Sequence, residues 1–145
     1  MSAARVVAAA RGWIGTPYVH QASARGAGTD CLGLVRGVWR ELYGAEPAPV
    51  PAYTPDWGET GGRELLLEGV GALLDPVEPA RAAPGDVLVF RMRAGAAAKH
   101  LGILAETGAG ASFIHAYSGH AVLESPLTAP WRRRIAAVFR FPAKG

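Results

Sequence analysis

The chain has 145 residues, of which 50% are hydrophobic and 19% are charged. This length and balance suit a single globular domain over residues 1–145 and exclude a disordered chain. No stretch approaches the roughly 18 consecutive apolar residues of a membrane-spanning helix, so we expect no membrane insertion.

The 15 lysine and arginine residues exceed the 12 aspartate and glutamate residues, which gives a formal net charge of +3. Much of the excess lies near the C-terminus, at Arg132, Arg133, Arg134, Arg140 and Lys144. Such a cluster is either a solvated face or a surface that attracts an anionic polymer, such as a cell-wall glycan, or an acidic partner. Nucleic acid is not an expected partner, because no interleaved aromatic residues or binding motif accompany the cluster.

The N-terminal apolar run is too short for a secretory signal. Val6–Ala10 lies between Arg5 and Arg11, whereas the apolar core of a signal peptide has about 7–15 residues. We therefore expect synthesis in the cytoplasm without a signal peptide. Action outside the cell would then need another route of delivery.

The first predicted helix covers Ser2–Ile14, with its apolar residues on one face. A turn follows at Gly15–Tyr18, where glycine and proline favour a change of direction. The small and polar loop His20–Thr29 then leads into a second helix.

The second predicted helix begins at the only cysteine of the chain. Its apolar side chains recur at the spacing of one helical face, and these are Cys31, Leu34, Val35, Val38, Trp39 and Leu42. Thr29 or Asp30 would cap the helix N-terminus with a side-chain oxygen, and Gly44 would end the helix at positive φ. Gly33 and Gly37 each cost about 1 kcal/mol relative to alanine in a helix, so we expect another backbone to pack closely at both.

The position of Cys31 suggests a reactive thiol. In the first turn of a helix, unpaired N–H groups and the macrodipole favour the thiolate. A free thiol has a pKa of roughly 8.5, and such sites lower it to about 3.5–7.5. Cys31 is therefore a candidate nucleophile if a base lies near it. The alternative is an inert buried thiol. A single cysteine excludes an internal disulfide, but it does not by itself indicate catalysis.

The proline-rich segment Ala45–Gly62 separates the second helix from a third. Its turn residues predict an ordered surface loop that borders a cleft, rather than a linker between domains. Tyr53 and Trp57 are candidates for the cleft wall, and the alternative is that they pin the loop to the core. The third helix is predicted over Arg63–Leu74 and ends at Asp75-Pro76.

After residue 84 the periodicity changes to that of β-strands. The strand candidates are Val87–Phe90, Leu101–Ala105, Ser112–Tyr117, Ala121–Glu124 and Ile135–Phe141. Pro84–Asp86 is a turn before the first of them, and Ser118-Gly119 is a hairpin turn. Helices followed by strands predict an α+β fold, with N-terminal helices packed on one face of a C-terminal antiparallel sheet of about five strands.

Two histidines lie on this predicted sheet, and their separation of 15 residues suits adjacent antiparallel strands. A thiol nucleophile needs a base within about 2.6–3.2 Å, and the base needs a third group that orients it. Cys31, His100 and His115 could fill these roles. Two alternatives stay open: the histidines are structural, or they form a metal site with His120. The second is disfavoured because no recognised metal-ligand spacing accompanies them.

Five motifs occur in order along the chain: Gly15–Tyr18, Thr29–Val35, Pro84–Val87, His100–Ile103 and Ile114–Ala116. Together they resemble the NlpC-type peptidoglycan endopeptidase family of papain-like cysteine peptidases, and in particular its phage-tail branch. The likeness runs from about residue 5 to residue 141. It implies a compact papain-like fold, no cofactor and no metal. The implied activity is cleavage of peptidoglycan stem peptides, usually between D-γ-glutamate and a diamino acid.

The resemblance implies a role for each matching residue. Cys31 would be the nucleophile, His100 the general base and His115 the group that orients the base. Tyr18 matches a family tyrosine whose hydroxyl helps to hold the oxyanion. The chain departs from the family pattern at His20–Ala22, where an aromatic residue and two glycines are common, and directly after the cysteine, where leucine replaces the usual serine.

The resemblance also suggests a setting: incorporation in a phage-like tail with other tail proteins, and action in the cell-wall compartment. Two other functions stay open. One is a structural docking module at the tail tip that retains the peptidase fold. The other is a thiol acyltransferase or amidase that acts on another amide substrate.

Overall fold

The chain is described by a computed structural model that covers residues 2–47, 53 and 64–143. Two helices lead: α1 (Ala3–Arg11) and α2 (Cys31–Tyr43). A short antiparallel pair, β1 (Ser23–Ala24) and β2 (Gly28–Thr29), lies between them in sequence. Helix α3 (Leu65–Leu73) completes the predicted N-terminal helices.

The second half of the chain forms an antiparallel sheet of six strands in the order β3-β8-β4-β5-β6-β7. The strands are β3 (Asp75–Val77), β4 (Val87–Phe90), β5 (His100–Glu106), β6 (Ser112–Ala116), β7 (Val122–Pro126) and β8 (Ile135–Arg140), and a short helix α4 (Ala129–Arg133) precedes β8. The predicted α+β architecture is therefore confirmed, and five of the six strands fall where the periodicity predicts them.

Strand β3 is the one strand of this sheet that the sequence did not predict, and the short strands β1 and β2 were not predicted either, because they lie in the predicted loop His20–Thr29. Helix α3 ends at Leu73, as the breaker residues require, but Asp75 and Pro76 then pair with β8 instead of forming only a turn. Proline is tolerated here because β3 is an edge strand, where a missing N–H leaves no partner unpaired inside the sheet.

Both faces of the sheet are covered, whereas the sequence predicted helices on one face. Along β4, Val87 and Val89 join the core beneath the helices, and Leu88 and Phe90 join a second apolar cluster on the opposite face. Trp131 of α4 packs against that second cluster. The alternation explains why every residue of β4 is buried.

The two glycines of α2 mark close contacts, but only one of them meets a backbone. A Cβ at Gly33 would lie 2.0 Å from the carbonyl oxygen of Ala22, as predicted. A Cβ at Gly37 would lie 2.0 Å from the indole ring of Trp13, so there the prediction of a backbone neighbour was wrong. Both contacts fix α2 against the segment before it.

One predicted helix boundary shifts, and one predicted segment lies largely outside the described residues. Helix α1 ends at Arg11 instead of Ile14, because residues 12–15 form a turn. The predicted loop Ala45–Gly62 falls largely outside the described residues, and so do Trp57 and Arg63. Within the described part of the chain, no helix is long and apolar enough to cross a membrane.

Candidate active site

A cavity of about 620 Å³ opens where the N-terminus of α2 meets the sheet. Its lining residues are Tyr18, His20, Cys31, Tyr53, Met92, Lys99, His100, Ala116, Tyr117 and Ser118. Three of the four residues that the sequence singled out, Tyr18, Cys31 and His100, thus face one space. The fourth, His115, is not among the lining residues but contacts His100, with the two ring nitrogens 2.8 Å apart.

Cys31 is the first residue of α2, and its side chain is only 5% exposed. Burial, followed by the negative charge of Asp30, raises the pKa of the thiol to about 12. The backbone N–H groups of Leu101, Leu32 and Cys31 itself act in the opposite direction but do not prevail. The prediction of a lowered thiol pKa was therefore wrong, because the helix N-terminus is outweighed by desolvation. In the resting site the sulfur carries its proton.

Asp30 caps α2 and organises the wall beside Cys31. Its Oδ1 accepts a hydrogen bond of 2.7 Å from the backbone N–H of Gly33, which settles the N-cap in favour of Asp30 over Thr29. Its Oδ2 accepts a 2.7 Å bond from the backbone N–H of Gln21 and another from the Tyr53 hydroxyl. The carboxylate is 2% exposed, so these donors replace the water that burial removes.

Gln21 adopts φ = 64°, and among the described residues it is the one non-glycine residue with positive φ. It lies in the His20–Ala22 segment, where the related family commonly has glycine. The side-chain amide of Gln21 donates a 2.6 Å bond to the carbonyl oxygen of Tyr53, and His20 Nε2 lies 3.0 Å from the same oxygen. Gln21 and His20, which depart from the family pattern, therefore supply side-chain contacts that hold Tyr53 at the cavity.

His100 and His115 are neighbours on adjacent strands β5 and β6, as their spacing predicted. His100 Nε2 lies 2.8 Å from His115 Nδ1, and His115 Nε2 lies 2.9 Å from the hydroxyl of Ser125 on β7. Burial, followed by the positive charges of His115 and Lys99, lowers the pKa of His100 to about 3. Burial also lowers the pKa of His115 to about 4. Both rings are therefore neutral at pH 7.

Aromatic side chains enclose the histidine pair. The ring of Phe113 lies 4.2 Å from that of His115 between centroids, and Trp131 stands edge-on to His115 at 5.4 Å. Phe90 stacks against His100 at 5.8 Å. This packing excludes water from the rings, which is the physical cause of their lowered pKa values.

Tyr18 enters the cavity from the loop after α1, where a bridge to Thr29 fixes its backbone. Burial, followed by the charge of Cys31 when its thiol ionises and by that of Asp30, raises the pKa of its phenol to about 12. The phenol is therefore protonated over the physiological range and can donate a hydrogen bond into the cavity.

The sequence did not single out Ser125 or Trp131. No local pattern marks either residue. The contact of Ser125 with His115 depends on strand pairing, and the contact of Trp131 with His115 depends on the packing of α4. His120, proposed in the metal alternative, stacks on Tyr117 instead, with ring centroids 5.6 Å apart. Within the described residues, no three histidine, cysteine, aspartate or glutamate side chains gather as a metal-binding group.

The C-terminal basic cluster divides between two environments. Arg140 forms a bidentate ion pair with the buried carboxylate of Asp86, at 2.8 and 2.9 Å, although its own side chain is 51% exposed. Asp86 also accepts a bond from the backbone N–H of Ala83, in the turn that the sequence predicted. Arg132 and Arg133 lie exposed at the end of α4.

Comparisons with known proteins identify the family of the chain. The model of the NlpC/P60 family matches residues 15–140. The gamma-DL-glutamyl hydrolase of Bacillus subtilis (strain 168) is 32% identical over 137 residues, which cover 94% of this chain and 29% of that protein. The chain thus spans less than a third of the length of this curated relative.

Solved structures share the fold. The NlpC/p60 domain of the peptidoglycan hydrolase SagA aligns with a TM-score of 0.65 at 22% identity, over 97% of this chain and 100% of that one. An NlpC/P60 family protein from Bacillus cereus ATCC 10987 aligns with the same TM-score at 18% identity, over 97% of this chain and 40% of the other. Because the family model spans most of the sequence, from the turn before Tyr18 to the last strand, the chain belongs to the NlpC/P60 family.

Proposed function

We propose that this chain is a cysteine peptidase that hydrolyses amide bonds in peptidoglycan stem peptides, with the bond between D-γ-glutamate and a diamino acid as its target. The observation that carries the proposal is the shared cavity: Cys31 and His100 both line it, and His100 is held from behind by His115 at 2.8 Å. Family membership supports a peptidoglycan hydrolase, and the name of the Bacillus subtilis relative supports a γ-glutamyl bond.

The hydrogen bonds of His100 define its part in the reaction. Its Nε2 is engaged with His115, which leaves Nδ1 as the nitrogen able to serve the cavity. In the proposed first step the sulfur of Cys31 attacks the amide carbonyl carbon while its proton passes to His100 Nδ1. Because the resting thiol and imidazole are both neutral, the proton moves as the S–C bond forms.

The oxyanion of the tetrahedral intermediate accepts hydrogen bonds from the Tyr18 hydroxyl and from the backbone N–H of Cys31 in this mechanism. Collapse breaks the C–N bond, and His100 gives its proton to the leaving amine. His100 then takes a proton from water as the water oxygen attacks the thioester. The C–S bond breaks, the carboxylic acid leaves, and the proton returns to the sulfur of Cys31.

The test is cleavage of defined muropeptides and purified sacculi by the parent protein and by Cys31→Ala, with the released fragments identified by mass spectrometry. We expect Cys31→Ala to keep the melting temperature of the parent and to lose cleavage, and the new termini to lie at the D-γ-glutamyl bond. Equal cleavage by the two proteins would refute the assignment of Cys31. An inactive parent whose thiol resists labelling would favour the docking module, and transfer of the acyl group to an added amine would favour the acyltransferase.

We also propose that the protein acts in the cell-wall compartment as a single catalytic domain carried by a phage-like tail. The likeness of the five sequence motifs to the phage-tail branch supports this setting. Electron microscopy with an antibody against the chain would test it: labelling at the tip of tail-like particles is the expected result, and labelled protein free of any particle would contradict the proposal.

A further inference from the structure

We propose that Ser125 is a positioning residue for the histidine pair. Its Oγ accepts a hydrogen bond from the N–H at His115 Nε2, which stabilises the His115 tautomer that leaves Nδ1 of His100 free to take the proton of Cys31. The inference rests on the proposed cysteine mechanism, and it adds a residue that neither the sequence motifs nor the family resemblance assigns.

The hydrogen-bond chain has a defined direction when His100 acts as a base. His100 Nδ1 must then be unprotonated, so the single proton of the neutral ring lies on Nε2, 2.8 Å from His115 Nδ1. His115 Nδ1 must accept a hydrogen bond from this N–H, so His115 carries its own proton on Nε2. The N–H at His115 Nε2 then points at Ser125 Oγ, 2.9 Å away, which can accept a hydrogen bond from it.

The reversed chain would leave the site inactive. If the Ser125 hydroxyl donated to His115 Nε2, His115 would hold its proton on Nδ1 and donate to His100 Nε2. The His100 proton would then lie on Nδ1, where it blocks the transfer from Cys31. A serine hydroxyl permits both directions, and therefore the tautomer of His115 is the quantity that decides the proposal.

The surroundings of His115 leave it few other partners. Its ring is bounded by Phe113, Trp131 and Tyr117, with centroids 4.2, 5.4 and 5.8 Å away. Its two nitrogens are accounted for by His100 and Ser125 among the described contacts. The residue is 2% exposed, so loss of the serine oxygen would leave a buried N–H without its acceptor.

Strand pairing fixes Ser125 in this place. On β6 and β7, His115 lies opposite Leu123, and Phe113 lies opposite Ser125. Side chains two residues apart share a face of a strand, so Ser125 projects on the same side as His115. The register that sets this contact is continuous over five residue pairs.

The test compares Ser125→Ala, Ser125→Thr and the matched control Ser112→Ala. Ser112 also lies on this part of the sheet, but its hydroxyl donates to Glu124 at 2.6 Å and contacts no imidazole. We expect Ser125→Ala to lower kcat about three- to tenfold with an unchanged KM, as suits the loss of one hydrogen bond. Ser125→Thr retains a hydroxyl and should restore kcat, and Ser112→Ala should leave kcat at the parent value.

The second readout is the tautomer of His115, from nitrogen chemical shifts in protein labelled with ¹⁵N-histidine. We expect the proton on Nε2 in the parent and in Ser125→Thr, and a mixed population in Ser125→Ala. A proton on Nδ1 in the parent would overturn the proposal, and so would an active Ser125→Ala variant with the parent kcat. If the parent itself cleaves nothing, the proposed function fails, and the tautomer spectra still decide the role of Ser125.

Discussion

Gly102 lies against His115 with no room between them for a side chain. A Cβ on Gly102 would lie 3.0 Å from the Cβ of His115 and 2.8 Å from a ring carbon of Phe113. Because Gly102 has no side chain, the ring of His115 can lie beside His100. The glycine of the His100–Ile103 motif therefore has a steric role in the site.

We expect Gly102→Ala to move His115 and to lower both activity and stability. Overpacking of this kind costs about 1–3 kcal/mol, and the displaced ring would no longer hold His100. Unfolding in urea and kcat on a muropeptide measure the two effects. The control is Gly110→Ala, whose Cβ would meet nothing within 4 Å. Parent kcat in Gly102→Ala would show that the contact is without consequence.

The core of this site could be predicted from the sequence, whereas its electrostatics could not. Helix periodicity placed Cys31 at a helix start, and strand periodicity placed His100 and His115 on neighbouring strands. The direction of the thiol pKa shift depends on burial, which the local pattern does not report. Ser125 lay beyond prediction for a similar reason: its contact with His115 depends on the register of β6 and β7.

Tyr18→Phe should lower kcat and leave stability nearly unchanged. The Tyr18 phenol is protonated and faces the cavity, so its removal deletes a proposed oxyanion donor, an effect of about 10²–10³ in kcat for known donors. Steady-state kinetics and the melting temperature measure the two quantities. Tyr117→Phe is the matched control, because Tyr117 also lines the cavity but has no proposed role. A loss of melting temperature without a loss of kcat would make Tyr18 a packing residue.

Gln21 provides a test of the strained segment beside the site. Gln21→Gly keeps the backbone N–H that bonds Asp30 at 2.7 Å and suits φ = 64°, but it loses the bond to Tyr53. The relief of strain at positive φ and the loss of this hydrogen bond oppose each other, so we expect the free energy of unfolding of Gln21→Gly to lie within about 1 kcal/mol of the parent value. Gln21→Val should destabilise by about 1–3 kcal/mol, because a β-branched residue is strained at positive φ. Equal stability of the two variants in thermal denaturation would contradict this reading.

The fold follows from the sequence where periodicity is strong and departs from it where tertiary contacts decide. Val87–Phe90 forms a strand over the predicted residues, since an uninterrupted apolar run flanked by turn residues has few alternatives. Asp75–Val77 is a strand because it pairs with the edge of β8. The helix-breaking residues Asp75 and Pro76 predict only the end of a helix and not this pairing. The prediction of a backbone neighbour for Gly37 was wrong for a similar reason, since the ring that meets Gly37 belongs to Trp13, in the turn after α1.

Asp30→Asn should make the thiol of Cys31 more acidic. The thiol pKa is raised first by burial and then by the negative charge of Asp30, and the variant removes the second cause while keeping the shape of the side chain. The rate of alkylation by iodoacetamide as a function of pH reports the thiolate and should rise at lower pH than in the parent. Glu106→Gln removes an exposed carboxylate that pairs with Arg11 and is the control. An unchanged alkylation profile in Asp30→Asn would exclude the electrostatic effect.

Acid should destabilise the protein before its carboxylates titrate. The folded pKa values of His100 and His115, about 3 and about 4, lie below the unfolded value near 6.5, so the stability they contribute is present above pH 6.5 and is lost as the pH falls. Between about pH 7 and about pH 5.5 we expect the free energy of unfolding to fall by roughly 2–3 kcal/mol for the pair. Urea denaturation at the two pH values measures this difference. His115→Gln should lose about half of it by the same linkage, and Cys31→Ala should keep all of it because the thiol does not titrate there. Equal stability of the parent at the two pH values would show that the imidazoles accept protons in the folded state.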